Sequence, residues 1–267
     1  MYGFTTTFLW NTTEIFELYR RFSDLERKIS LKLTFHNPEF EQEVRRRLQI
    51  SEREISLEDA QLVKELDLTS FTFCNEDIDT LICFNELRTL DINLGTKSGE
   101  IWNYFPRIEK LYWCCWGTEI NFTAFSNMQK LRWLCVSGGD YSDINYYNLD
   151  SLIALKELAY LELHEFGTVD IAPLAFMPQL RAFALRYAAN VDSINAISAM
   201  VQLDNLVLAG LFVEDLDFLD TLPDSVKIEM CGIDISGIKD VDVKKWARFS
   251  ERDISEISIN DQYIDLT

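Results

Sequence analysis

The sequence predicts a right-handed α/β solenoid with a concave parallel β-sheet and short helical or 3₁₀ returns. Three observations carry this. A six-residue unit, apolar-x-x-apolar-x-apolar, returns eight times between Val63 and Ile228. Its last two apolar positions stand two residues apart, the period of a strand, so they point inward and the residues between them line the opposite face. Between units runs a second apolar row at three-residue spacing, as in Ile78-Leu81-Phe84-Leu87 and Ile194-Ile197-Met200-Leu203, which suits one helical or 3₁₀ turn. A strand and return of about 22 residues cannot bury both rows alone, so copies must stack into a coil.

Residues 1–62 read as a mainly helical N-terminal cap. Thr13 to Phe22 sets Ile15, Leu18 and Phe22 at helical spacing, and Ile29-Ser30-Leu31-Lys32-Leu33 alternates like a strand. Asn37-Pro38 marks a helix start running on to Leu48. Asparagine accepts from the first free N–H groups, proline is pre-set for the first helical position, and Glu39, Glu41 and Glu43 suit the positive end of the helix dipole. Ser56 with Asp59 caps a second short helix.

Residues 63–231 hold about eight repeats. They are Val63-Leu66-Leu68, Leu87-Leu90-Ile92, Ile108-Leu111-Trp113, Leu131-Leu134-Val136, Leu158-Leu161-Leu163, Leu180-Phe183-Leu185, Leu203-Leu206-Leu208 and the weaker Pro223-Val226-Ile228. Their central positions lie 24, 21, 23, 27, 22, 23 and 20 residues apart, and the 27-residue step, with Tyr141, Tyr146 and Tyr147, predicts a protruding loop. Residues 232–267 read as a C-terminal cap: a helix over Val241 to Phe249 around Trp246, then alternating Ile254, Ile257, Ile259 and Tyr263. A stack of this kind needs both ends covered.

The stretch Thr168-Val169-Asp170-Ile171-Ala172-Pro173-Leu174 through Leu180-Arg181-Ala182-Phe183-Ala184-Leu185 resembles the leucine-rich-repeat family, in particular its bacterial internalin-like subclass. The resemblance covers roughly residues 36 to 230, and His36-Asn37-Pro38-Glu39-Phe40 with Ile55-Ser56-Leu57-Glu58-Asp59-Ala60 looks like the helical cap of that class. One family feature is missing. Three residues past the last strand apolar residue, where the family places a turn-bonding asparagine, stand Phe71, Gly95, Trp116, Gly139, Phe166, Ala188, Leu211 and Cys231. Apolar stacking is expected there instead, with Phe71, Trp116 and Phe166 as inward plugs.

With 44 acidic against 25 basic residues the formal net charge is −19, which repels phosphate backbones and anionic lipid, so neither nucleic acid nor a membrane surface is an expected partner. The first residues carry no basic signal-like region and no apolar run approaches a membrane span, which makes the cytoplasm the expected compartment. Cys74, Cys83, Cys114, Cys115, Cys135 and Cys231 form no CxxC pair and read as free, packed thiols; no metal or cofactor is expected. No phosphate-binding, dinucleotide, nucleophile-elbow or zinc-protease motif occurs.

The residues beside the strand apolar positions would line the concave face, a rigid platform suited to binding. Two groups stand out there: an acidic end of Glu65, Asp67 and Asp91, and a central cluster of Tyr112, Trp133 and Tyr160 with Glu162, His164 and Arg186 beside it. Exposed aromatic residues are the types enriched in binding hot spots. The first expectation is thus a protein-protein interaction module, without catalysis, that grips a protein partner on this face. The alternatives are an inhibitor or immunity-type protein neutralising a basic toxin or nuclease, an enzyme using His164 with Glu162 as a general-base pair, and a structural subunit. Alternatively, the aromatic residues stack on one another and stabilise the sheet. Oligomeric state stays open.

Overall fold

A computed structural model describes residues 32–235, apart from 71–72, 74, 139–143 and 215, together with 257–259 and 262–264. The expected helix starts form through the expected chemistry. Helix α1 (Pro38–Leu48) is capped by Asn37, whose Oδ1 accepts from the backbone N–H groups of Glu39 and Phe40, and α2 (Leu57–Ala60) opens with a reciprocal Ser56–Asp59 capping box. Arg53 grips both oxygens of Asp59, and with the Ser56 bonds it holds that carboxyl well below the usual range. The expected elements at Thr13–Phe22 and Val241–Phe249 lie outside the described residues, as does most of the alternation near Ile29; Lys32 bridges Ser56.

The strands β1 (Glu65–Leu68), β2 (Thr89–Gly95), β3 (Lys110–Trp116), β4 (Glu119–Asn121), β5 (Trp133–Ser137), β6 (Asn145–Tyr147), β7 (Tyr160–Asp170), β8 (Ala182–Asp192), β9 (Asn205–Val213) and β10 (Lys227–Ile235) are joined by returns. After β1 the return is helix α3 (Asn75–Leu81). Later ones are 3₁₀ turns, such as Thr96–Tyr104, Phe122–Phe125, Leu149–Ala154, Ala172–Phe176 and Ile194–Ala199. The sheet runs β1-β2-β3-β5-β7-β8-β9-β10, all parallel, and continues into β11 (Ile257–Ile259) and an antiparallel β12 (Gln262–Ile264). The short β4 and β6 pair with each other beside this path. This is an open parallel solenoid.

The register aligns Leu66, Leu90, Leu111, Leu134, Leu161, Phe183, Leu206 and Ile228, each essentially buried. Seven repeats match the sequence reading. The last is shifted by two: Ile228 and Met230, rather than Val226 and Ile228, continue Leu206 and Leu208. The weak Pro223 start hid this, and Lys227, Glu229 and Cys231 hold the concave positions there.

An aromatic stack fills part of the interior, but it runs through the returns and the inner strand positions, and of the expected turn plugs only Phe166 is seen to join it. Trp102, Trp113 and Phe125 pack with centroids 5.1–5.9 Å apart, and Phe125 leads through Phe122 to Tyr146 and on to Phe166 at 4.8 Å. Phe166 is buried as expected, but Trp116 is 43% exposed and lies over Gly95 instead of plugging the turn. Tyr146 likewise stacks inside; among the described residues of that step the exposed tyrosine is Tyr147. The Phe71 side chain and Tyr141 lie outside the described residues.

From β7 onward each long strand bends at one left-handed residue: Glu165 (φ 53°), Tyr187 (φ 54°), Gly210 (φ 59°) and Gly232 (φ 58°). Beyond the bend the ladder resumes through Phe166, Ala188, Leu211 and Ile233. A Cβ on Gly210 would meet the Tyr187 ring at 2.4 Å. Gly210→Ala is therefore expected to cost about 1–3 kcal/mol from the backbone alone, read as a lower urea midpoint. Adding Tyr187→Ala should return only the steric part.

Candidate functional site

The parallel register sets the concave face in columns. One reads Glu65, Thr89, Lys110, Trp133, Tyr160, Ala182, Asn205 and Lys227. Within it the Trp133 and Tyr160 rings stack 5.0 Å apart at 9°, and the Lys110 ammonium lies 4.6 Å from the Trp133 ring centre. Tyr160 donates its hydroxyl proton to Glu162, whose other oxygen accepts from Arg186 Nε at 3.0 Å. Burial, and then the Glu162 bond, push the Tyr160 phenol above its usual range. Trp133, Tyr160, Glu162 and Arg186 are thus one bonded row, partly open to solvent. Beside it the floor closes: Cys135, Ala184 and Ala209 are buried.

His164 does not pair with Glu162, so the general-base pair suggested by their spacing does not form. Residues two apart on a strand share a face, but Glu162 is taken by Tyr160 and Arg186. His164 belongs to a second group with Ser137 and Glu165. Ser137 Oγ lies 3.4 Å from His164 Nδ1 and donates to Glu165 Oε2 at 3.3 Å, and Tyr112 is hydrogen-bonded to Ser137. The His164 and Tyr187 rings are 5.3 Å apart. Tyr112 therefore joins this second group rather than the Trp133–Tyr160 stack. Sequence reasoning missed Glu165 and Tyr187; their spacing of 22 residues, continued at 23 and 22 by Gly210 and Gly232, was the available signal.

At the acidic end Asp67 stands directly opposite Asp91 across β1 and β2, an unfavourable like-charge pairing. Glu65 is held by Arg47 of α1 at 2.9 Å, and Glu43 of the same helix accepts from the Asp67 N–H. Burial pushes the Asp91 carboxyl up, against the pull of Lys110, and its Oδ1 is enclosed without a hydrogen-bond partner. Among the described residues no cluster of three His, Cys, Asp or Glu could hold a metal ion, and Cys83, Cys114, Cys115, Cys135 and Cys231 are free thiols. No helix among them is long and apolar enough to cross a membrane.

No protein-family model matches the sequence, and neither does any curated protein. Solved structures do match in fold. The internalin C2 of Listeria monocytogenes superposes with a TM-score of 0.52 at 15% identity, over 73% of this chain and 94% of that one. A second Listeria monocytogenes internalin, inlF, gives 0.56 at 15% identity over 90% and 82%. A leucine-rich-repeat protein of Leptospira interrogans gives 0.54 at 18% identity over 79% and 53%.

Because the folded pKa of Asp91 lies above its unfolded value, its ionised form lowers stability at neutral pH. Asp91→Asn should raise Tm at pH 7 by about 2–4 °C. The gain should fade as pH drops through the carboxylate range and vanish below the unfolded value near ~3.9, where both forms are neutral. Melts at pH 7, 5 and 3 check this; an unchanged or lower Tm at pH 7 would mean that Lys110 and Arg47 outweigh burial.

Proposed function

From a chain that folds as an internalin-like leucine-rich-repeat solenoid, we propose a protein-recognition module that binds a protein partner on its concave face and carries out no catalytic step there. The observation that carries this reading is the Lys110–Trp133–Tyr160–Glu162–Arg186 row. It is rigid, part-exposed and built on strands rather than loops, so little side-chain entropy remains to be lost on binding. The internal stacking stabilises the sheet as well. The two roles are compatible, because stacking fixes the rings and leaves their outer edges free to contact a partner.

A second reading narrows the partner to a basic protein, as an inhibitor or immunity-type protein would need. It is supported by the net charge of −19 and by Asp67 and Asp91, whose mutual repulsion a cation from outside would relieve. The free thiols fit a reducing compartment, and the cytoplasm is our assignment.

Pull-down from the source lysate with wild type and with a Tyr112→Ala, Trp133→Ala, Tyr160→Ala triple variant tests the first reading, with circular dichroism confirming that both fold. Loss of a specific protein only with the variant, corresponding to at least ~30-fold weaker binding, is the expected result. Identical eluates would leave the aromatic row with a structural role alone. For the second reading, the association rate of the captured protein should fall steeply between low and high salt.

A further inference from the structure

The group around His164 has a direction built into it. Ser137 has a single hydrogen; given to Glu165, it leaves the contact with His164 Nδ1 to be made by a proton on that nitrogen. The hydrogen bonds thus converge through a buried serine on one carboxylate. With Nδ1 carrying the proton, neutral His164 keeps its lone pair on Nε2, which no described group occupies, on a side chain 26% exposed.

The backbone supplies a separate observation. Glu165 and Tyr187 occupy the left-handed bend that Gly210 and Gly232 fill in the next two repeats. Each non-glycine residue there costs on the order of a kcal/mol. Both strained residues direct their side chains at His164, one reaching it through Ser137 and the other lying against its ring.

Resting on the concave-face reading, we propose that His164 Nε2 is a hydrogen-bond acceptor for a cationic N–H donor, a lysine ammonium of a basic partner, and that Ser137 and Glu165 are positioning residues that fix its tautomer. Charge complementarity selects the donor. Glu165 lies beside the imidazole, Glu65, Asp67 and Asp91 lie on the same sheet face, and the chain carries −19. The other neighbours do not change the sign. Arg186, opposite His164 on β8, is turned onto Glu162, while Cys114, Tyr112 and Tyr187 carry no cationic group.

The sequence holds two histidines, so imidazole ¹H–¹⁵N correlations of labelled protein, assigned with His36→Gln, test this without a known partner. At pH 7.5 His164 is expected as the Nδ1–H form. Glu165→Gly, which places at this bend the residue that β9 and β10 carry there, should keep the circular dichroism spectrum and shift His164 towards Nε2–H. Nona-lysine at pH 7.5 should then perturb His164 Nε2 in wild type, with apparent Kd about tenfold weaker in Glu165→Gly. An Nε2–H tautomer in wild type overturns the proposal. A titration that moves only the Asp67 and Asp91 carboxyl carbons overturns it too, yet leaves a cation-binding concave face. If no concave residue responds, the basic-partner reading falls with it.

Discussion

Each turn of this coil has to bring one apolar side chain into line with that of the turn before, because a single strand and return cannot dehydrate its own inner row. The column from Leu66 to Ile228 meets that demand in eight successive parallel strands, and the rest of the structure follows from it. In-register stacking aligns the intervening residues on the opposite face. It thereby decides that Trp133 meets Tyr160, that Asp67 meets Asp91, and that Ser137 meets His164. The concave surface is in this sense a by-product of the core, and its chemistry can vary while the inner row stays fixed.

What could be read in the sequence was what repeats. A two-residue strand period and a three-residue return period suffice to locate seven of the strands, and Asn37, Pro38, Ser56 and Asp59 mark their helix starts because capping is local chemistry. Reading failed where a residue's fate depends on a neighbouring turn. Trp116 had the composition of a plug, yet Gly95 offered its ring a flat outer surface. Tyr146 looked like a loop residue until Phe122 and Phe166 enclosed it. His164 was paired with the wrong acid because spacing along one strand says nothing of a hydroxyl on the next, and Glu165 points to that hydroxyl only because the backbone bends there.

The concave face shows two ways of keeping polar and aromatic groups ordered on an open sheet. Around Tyr160 every group has a partner, and the row is stable without a ligand. At Asp91 the opposite holds: burial and a facing carboxylate act against the charged form. Partnered and unpartnered groups are therefore divided between neighbouring repeats, and the division runs along the solenoid axis, with the costly charges nearest the N-terminal helix.

That cap has a further consequence. Glu43 of α1 accepts the Asp67 N–H, and Arg47 ties down Glu65, so a helix sits against the outer side of the first strand. An uncovered parallel edge is a template for another chain, and a coil whose two ends differ would join head to tail without closing on itself. One carboxylate and one guanidinium on a single helix thus hold a cover over the first strand, where an open edge would otherwise invite pairing.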